Sequence, residues 1–150
     1  MIKAVISTTQ AYNCASVLGF GTSDLRSELD SRANMVVLVN HYFVFDKTGR
    51  TCNVQTFSTE LGISDDLPIV DGAISYYFTY TKTTYVLIVS NALHVPTMEH
   101  NLIPPVIMRS GGLIVIDVPK IHCMGPTIEY HCIRFKNSDL KIPMQIYITF

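Results

Sequence analysis

The chain has 150 residues, of which 48% are hydrophobic and 15% charged, with a formal net charge of −1. That length fits one domain, and the apolar content supports a sizeable core while excluding a disordered segment. Eleven Lys and Arg stand against twelve Asp and Glu with no dense basic cluster, which leaves a nucleic-acid partner without electrostatic support. No apolar run approaches the roughly 20 residues that a membrane-spanning helix needs.

In chain order, Ile2 to Thr8 is β-branched and predicts an edge strand. Residues 9–28 read as an irregular connector. The start of the sequence, Met1 to Ser7, is apolar but too short and too soon interrupted by polar residues to be a signal peptide, so the expectation is an intracellular, most simply cytoplasmic, protein. Cys14, Cys52, Cys123 and Cys132 are scattered without tight spacing and read as buried thiols of a reducing compartment.

Met35 to Val39 is continuously apolar and predicts a strand buried on both faces. Tyr42 to Phe45 continues the β signal. Residues 46–50 predict a turn with Gly49 at positive φ, and residues 51–57 the return strand of a hairpin. Ser58 to Asp66 reads as loop. Residues 67–80 and 84–90, rich in aromatic and β-branched residues, flank the polar turn Thr81-Lys82-Thr83 and predict a long hairpin. Tyr76, Tyr77, Phe78 and Tyr80 are read as packing of that hairpin. Asn91 to Val95 predicts a short strand stopped by Pro96.

The stretch Asn101 to Gly112 predicts the main helix, beginning near Pro104 and ending near Gly111, since Pro suits a first helical turn and Gly the exit. Leu113 to Val118, Thr127 to Phe135 and Leu140 to Thr149 predict strands. In the last of these, Ile142, Met144, Ile146 and Ile148 fall on one face.

Leu29-Asp30-Ser31-Arg32-Ala33-Asn34 places a lone carboxylate just ahead of an apolar strand. Such a carboxylate can be a turn Asp that hydrogen-bonds local backbone. It can also be a catalytic group. The order apolar-Asp-Ser-x-Ala resembles the Asp-Thr/Ser-Gly-Ala loop of retropepsins, the aspartic protease domains of retroviruses and retrotransposons. Further along, Ala92-Leu93-His94-Val95-Pro96 and then Asn101-Leu102-Ile103 resemble the segment of copia-type retrotransposon polyproteins where Leu-Tyr-Val-Pro precedes Asn-Leu-Leu-Ser. The two motifs stand in the order and at about the distance of one protease monomer.

The resemblance covers roughly residues 29–112. It implies a mostly β chain folded as a closed antiparallel acid-protease barrel with one main short helix, and residues 113–150 as a C-terminal β extension within a single domain. It implies a homodimer with one catalytic Asp per subunit, here Asp30, acting on a polypeptide substrate. In the active-site loop, Ser31 matches the Ser/Thr whose hydroxyl braces the two loops across the dimer axis, and Ala33 matches the small residue behind the Asp. Asp71-Gly72-Ala73 falls where the family keeps the flap over the substrate; as residues alone they make an ordinary Asp-Gly turn. In the corresponding segment a strand loop lies beside the catalytic Asp and a helix follows.

Arg32 departs from the family, which carries Gly there. It adds bulk at the mouth of the cleft, and a guanidinium beside Asp30 favours the ionised carboxylate over a shared proton. The expectation is an aspartic endopeptidase weakened or lost through Arg32. The alternative is a catalytically inactive, retrotransposon-derived β domain kept as a dimeric interaction or structural module. No cofactor is expected. His122-Cys123 and His131-Cys132 suggest zinc, but neighbours along a strand point to opposite faces and each pair offers one ligand to a site, so no metal is expected. No Ser-His-Asp or Cys-His triad and no phosphate-binding Gly loop is present.

Overall fold

The computed structural model describes residues 2–7, 27–40, 42–55, 63–118, 122, 130–136 and 138–144, with 2–7, 55 and 63–65 described through the backbone. The fold is built around one long strand. Thr83–His94 (β6) is dense in β-branched and aromatic residues, which suit a pleated surface packed on both sides. Its first half lies between β1 (Ile2–Ser7) and β5 (Ile63–Phe78), both antiparallel to it. Its second half keeps β5 on one side and takes β3 (Val37–Leu38), in parallel, on the other. Beyond β3 come β7 (Asn101–Ile103) and β2 (Ser27–Leu29), and β4 (Phe43–Gln55) forms the far edge beside β5.

The hairpin of β5 and β6 turns at residues 79–82, with Lys82 at φ 53°, as the polar Thr-Lys-Thr run predicts. Phe78 is buried beside the turn, edge-on to Tyr85 with ring centroids 6.5 Å apart, while Tyr77 and Tyr80 face solvent. The predicted turn at 46–50 is not a reversal. Those residues belong to β4, which runs on against β5 with register shifts on either side of Lys47. Gly49, at φ 71°, makes an irregularity inside a strand. The Thr48 hydroxyl, donating to the Ile69 carbonyl at 2.6 Å, holds β4 to β5 there. Residues 63–66, expected in a loop, already belong to β5.

The helix α1 (Pro105–Ser110) matches its expected limits. Pro105 enters at the first turn, where its missing N–H costs nothing. The exit is a Schellman arrangement: Leu113 N–H donates to the Met108 carbonyl at 3.0 Å and Gly112 N–H to the Arg109 carbonyl at 3.0 Å, with Gly112 at φ 87°. Asn101 to Ile103, read with the helix in the sequence, is instead the separate strand β7.

After α1 the chain builds a second, antiparallel sheet of three strands, β8 (Ile114–Asp117), β9 (His131–Arg134) and β10 (Lys141–Pro143), in the order β10-β9-β8. The expected β extension is therefore present from Ile114 to Pro143; Ile146 and Ile148 lie outside the described residues. Val115, Ile133, Phe135 and Leu140 of this sheet share one buried cluster with Val36, Leu38 and Val89 of the first, and Ile142 and Met144 pack against it. Arg109 ties α1 to β8, donating to the Val115 carbonyl at 3.2 Å and the Asp117 carboxylate at 2.6 Å. The chain is thus mostly β with one short helix. The two sheets stay open among the described residues, where the resemblance implies a closed barrel. Among the described residues no helix is long and apolar enough to cross a membrane.

Gly72 sits buried in the middle of β5, and a Cβ built on it would stand 2.8 Å from Leu38 Cδ1. Leu38 is fully buried, so its side chain has little room to yield. Gly72→Ala should cost about 1–3 kcal/mol in urea denaturation through overpacking. In the Leu38→Val background the same substitution should cost measurably less, because the colliding methyl is gone.

Candidate active site

The Asp30 loop is positioned by three short strands whose chain order and spatial order differ. β2 leads into the loop and β3 leads out, yet they do not touch, because β7 lies between them. β2 runs parallel to β7, with Ser27 opposite Asn101 and Leu29 opposite Ile103, and β3 meets β7 antiparallel at Val37 and Leu102. The loop therefore passes across the end of β7 at the point where the chain turns into α1. Asp30 N–H donates to the Ile103 carbonyl at 3.3 Å, extending the β2–β7 ladder by one residue. The two sequence motifs, the acidic loop and the Asn-Leu-Ile segment, are brought side by side.

Asp30 is half-buried, and its Oδ1 accepts the Arg32 N–H at 2.8 Å. This is the local backbone bond of a turn Asp, and it fixes one carboxylate oxygen while the other makes no hydrogen bond among the described residues. Ser31 and Arg32 are exposed and Ala33 half-buried. The sequence raised a guanidinium beside the carboxylate. Among the described residues Arg32 makes no ion pair with Asp30; it meets the carboxylate through its backbone N–H alone. Arg32 is exposed in the loop.

Asp71, Gly72 and Ala73 do not form a flap tip. They lie in mid-strand, at an irregularity in the β5–β6 register between Val70 and Gly72. The Asp71 carboxylate accepts the Asn91 N–H at 2.8 Å, Asn91 takes φ 59°, and the Arg50 guanidinium donates to the Asn91 amide oxygen. Asp71 thus replaces a ladder bond, and Gly72 serves the close approach of Leu38. The turn chemistry of Asp-Gly is real in isolation, but the flanking apolar residues pull the strand straight through it.

Three polar residues to which the sequence reading gave no role of their own meet beside the loop: Asn101, Ser27 and Tyr42. Asn101 is 1% exposed. Its Oδ1 accepts the Val39 N–H at 2.9 Å and its Nδ2 donates to the Ser27 hydroxyl at 3.2 Å. The buried Tyr42 hydroxyl is hydrogen-bonded to the same Ser27 side chain. A signal was present in the sequence, since Asn101 is a lone amide just ahead of Leu-Ile-Pro-Pro, but its burial was not.

Of the zinc candidates, His131 is buried and its Nε2–H donates to the Val118 carbonyl at 2.7 Å, while His122 is exposed; Cys123 lies outside the described residues. Cys52 and Cys132 are free thiols. No cluster of three His, Cys, Asp or Glu side chains forms among the described residues.

Two groups make the neighbourhood pH-sensitive. Burial pushes the Tyr42 hydroxyl from 10.0 up to about 12, against the opposing effect of its bond to Ser27. A raised phenol favours the fold below the unfolded value, so this stability is complete below pH 10.0 and lost as pH climbs toward about 12. The loss amounts to roughly 2–3 kcal/mol. Urea midpoints measured from pH 8 to 11.5 should fall steeply in the native chain, and Tyr42→Phe should flatten the fall.

His94, on β6 opposite Leu38, is held below its ordinary 6.5, first by burial and then by the Lys47 charge. Its neutral form favours the fold, so that contribution is present above pH 6.5 and is lost as pH falls below it. Thermal unfolding between pH 7.5 and 5 should show a descending step that His94→Gln removes.

Comparison of the chain with family models, with curated proteins and with solved structures returned no match in any of the three.

Proposed function

We propose that the chain is one subunit of a retropepsin-like aspartic endopeptidase that acts as a homodimer on a retrotransposon polyprotein. The observation that carries this reading is the loop geometry. Asp30 ends a strand paired to Asn101–Ile103, the incoming and outgoing strands flank that third strand, and a short helix follows at once. These are the two stretches on which the resemblance rests, and they meet at a single half-buried carboxylate.

Peptide hydrolysis of this type needs two carboxylates within hydrogen-bond reach of one water, and one chain supplies one. A two-fold dimer that faces two Asp30 loops completes the pair. Two such carboxylates cannot both ionise at that distance, so they share one proton. The ionised member takes a proton from the attacking water, and the protonated member polarises the scissile carbonyl. Bound to the Arg32 N–H, one Asp30 oxygen is held in place while the other faces the reaction. Among the described residues β2 ends the order of strands in its sheet, which supports the approach of a second subunit at that edge. On this reading the two sheets are parts of an acid-protease barrel.

A second reading is favoured by one observation. Arg32 is exposed in the loop where the family keeps Gly, so two Arg32 side chains would flank the dimer axis. On that reading the chain is a dimeric β module without catalysis.

A peptide-library cleavage assay between pH 4 and 7, together with light scattering, separates the two. The peptidase reading expects a dimer and cleavage, weak at pH 7, that a transition-state-mimicking inhibitor blocks and Asp30→Asn abolishes. Arg32→Gly should increase cleavage or move its optimum to higher pH. A dimer that cleaves nothing even as Arg32→Gly supports the interaction module. A monomer at high micromolar concentration removes both.

A further inference from the structure

The two strands that carry the acidic loop do not pair with each other, so something else must set their separation. β2 is a three-residue strand, parallel to β7, that ends the order of strands among the described residues. Such a strand is weakly held by its own hydrogen bonds. The Asn101 side chain adds a hold that backbone pairing cannot. From its buried place on β7 it reaches outward in both directions, to Ser27 on the incoming strand at 3.2 Å and to Val39 just past the outgoing strand at 2.9 Å. The task needs an acceptor and a donor on one short planar group, and a carboxamide has both. Two residues further along the same strand, the Ile103 carbonyl receives the Asp30 N–H.

We infer that Asn101 is the positioning residue of the Asp30 loop, clamping both of its flanking strands and thereby setting where the Asp30 carboxylate stands. Its meaning for catalysis rests on the peptidase reading above, while the clamp itself does not.

The test uses the full chain with Asn101→Leu, Asn101→Asp and Ser27→Ala. Leu keeps the volume and removes both arms. Asp keeps the acceptor for Val39 and can take a hydrogen bond donated by Ser27. Ala at the exposed Ser27 removes one arm with little risk to folding. Amide hydrogen exchange is followed by NMR at Asp30, Arg32 and Val39, with β9 amides as internal reference. Asn101→Leu should speed exchange at Asp30 and Arg32 by about tenfold or more without changing β9. Ser27→Ala should do so in part, and Asn101→Asp should restore slow exchange. If only Val39 accelerates while Asp30 and Arg32 keep native rates, Asn101 is merely a buried structural amide and the inference is overturned. Should Asn101→Leu fail to fold, Ser27→Ala decides by the same criterion. If the native chain cleaves a peptide in an Asp30-dependent way, Ser27→Ala and Asn101→Leu should lower kcat with KM little changed; unchanged kcat also overturns the inference. Absence of cleavage in both the native chain and Arg32→Gly sinks the peptidase reading and leaves the exchange rates to decide the clamp.

Discussion

One buried carboxamide holds the most constrained part of this molecule together. Asn101 lies in an apolar interior where an unpaired polar group is costly, and it meets that constraint by bonding to two segments remote in sequence. Its acceptor satisfies the Val39 N–H, which would otherwise be left at the point where the β3 ladder stops, a loss of about 1–3 kcal/mol. The apolar residues around it supply cohesion but no direction. Leu38, Val39 and Val36 are buried beside it, and the amide bond to Val39 N–H adds a directional hold on their register.

The long hairpin solves a different problem. β6 must serve two sets of partners, β1 along its first half and β3 along its second. The change comes at Asn91, whose left-handed backbone is held by Asp71 and Arg50. The same zone of β5 contains Gly72, where the absence of a side chain admits Leu38. Bulges of this kind bend a strand and increase its twist, which lets one sheet turn from the hairpin toward the acidic loop. The ion pair of Arg109 with Asp117 is half-exposed and contributes about 1 kcal/mol at most, so the second sheet is joined mainly through the shared apolar cluster.

Much of the β architecture was legible from local pattern. The strands of the long hairpin announce themselves by β-branched and aromatic density, their turn by Thr-Lys-Thr, and the helix by Pro at one end and paired Gly at the other. What misled was turn chemistry read without tertiary context. Asp46 to Arg50 and Asp71-Gly72 both contain residues that favour reversals, yet cross-strand partners on β5 and β6 drew each into a bulge. Asp30 was legible as a loop carboxylate because the apolar run after it is so sharply bounded. Its support was not, because a buried Asn looks in sequence like any surface Asn, and its bonds reach 62 and 74 positions along the chain. Arg32 shows the converse: the residue type suggested an ion pair with Asp30, and among the described residues an exposed position on the loop gives it none.

The way β7 slips between β2 and β3 has a consequence for how the chain can be divided. Ser27 and Asn101 are 74 positions apart, and Val39 and Asn101 are 62 apart. Closing loops of that length is entropically unfavourable until the hairpin between them is in place. Apart from the local Arg32 N–H bond to its carboxylate, the strand that positions Asp30 comes from the far side of that hairpin. A fragment ending before Asn101 would contain the acidic loop, the outgoing strand and all of the long hairpin, and yet hold its carboxylate on an unpaired strand with no partner across which to set it.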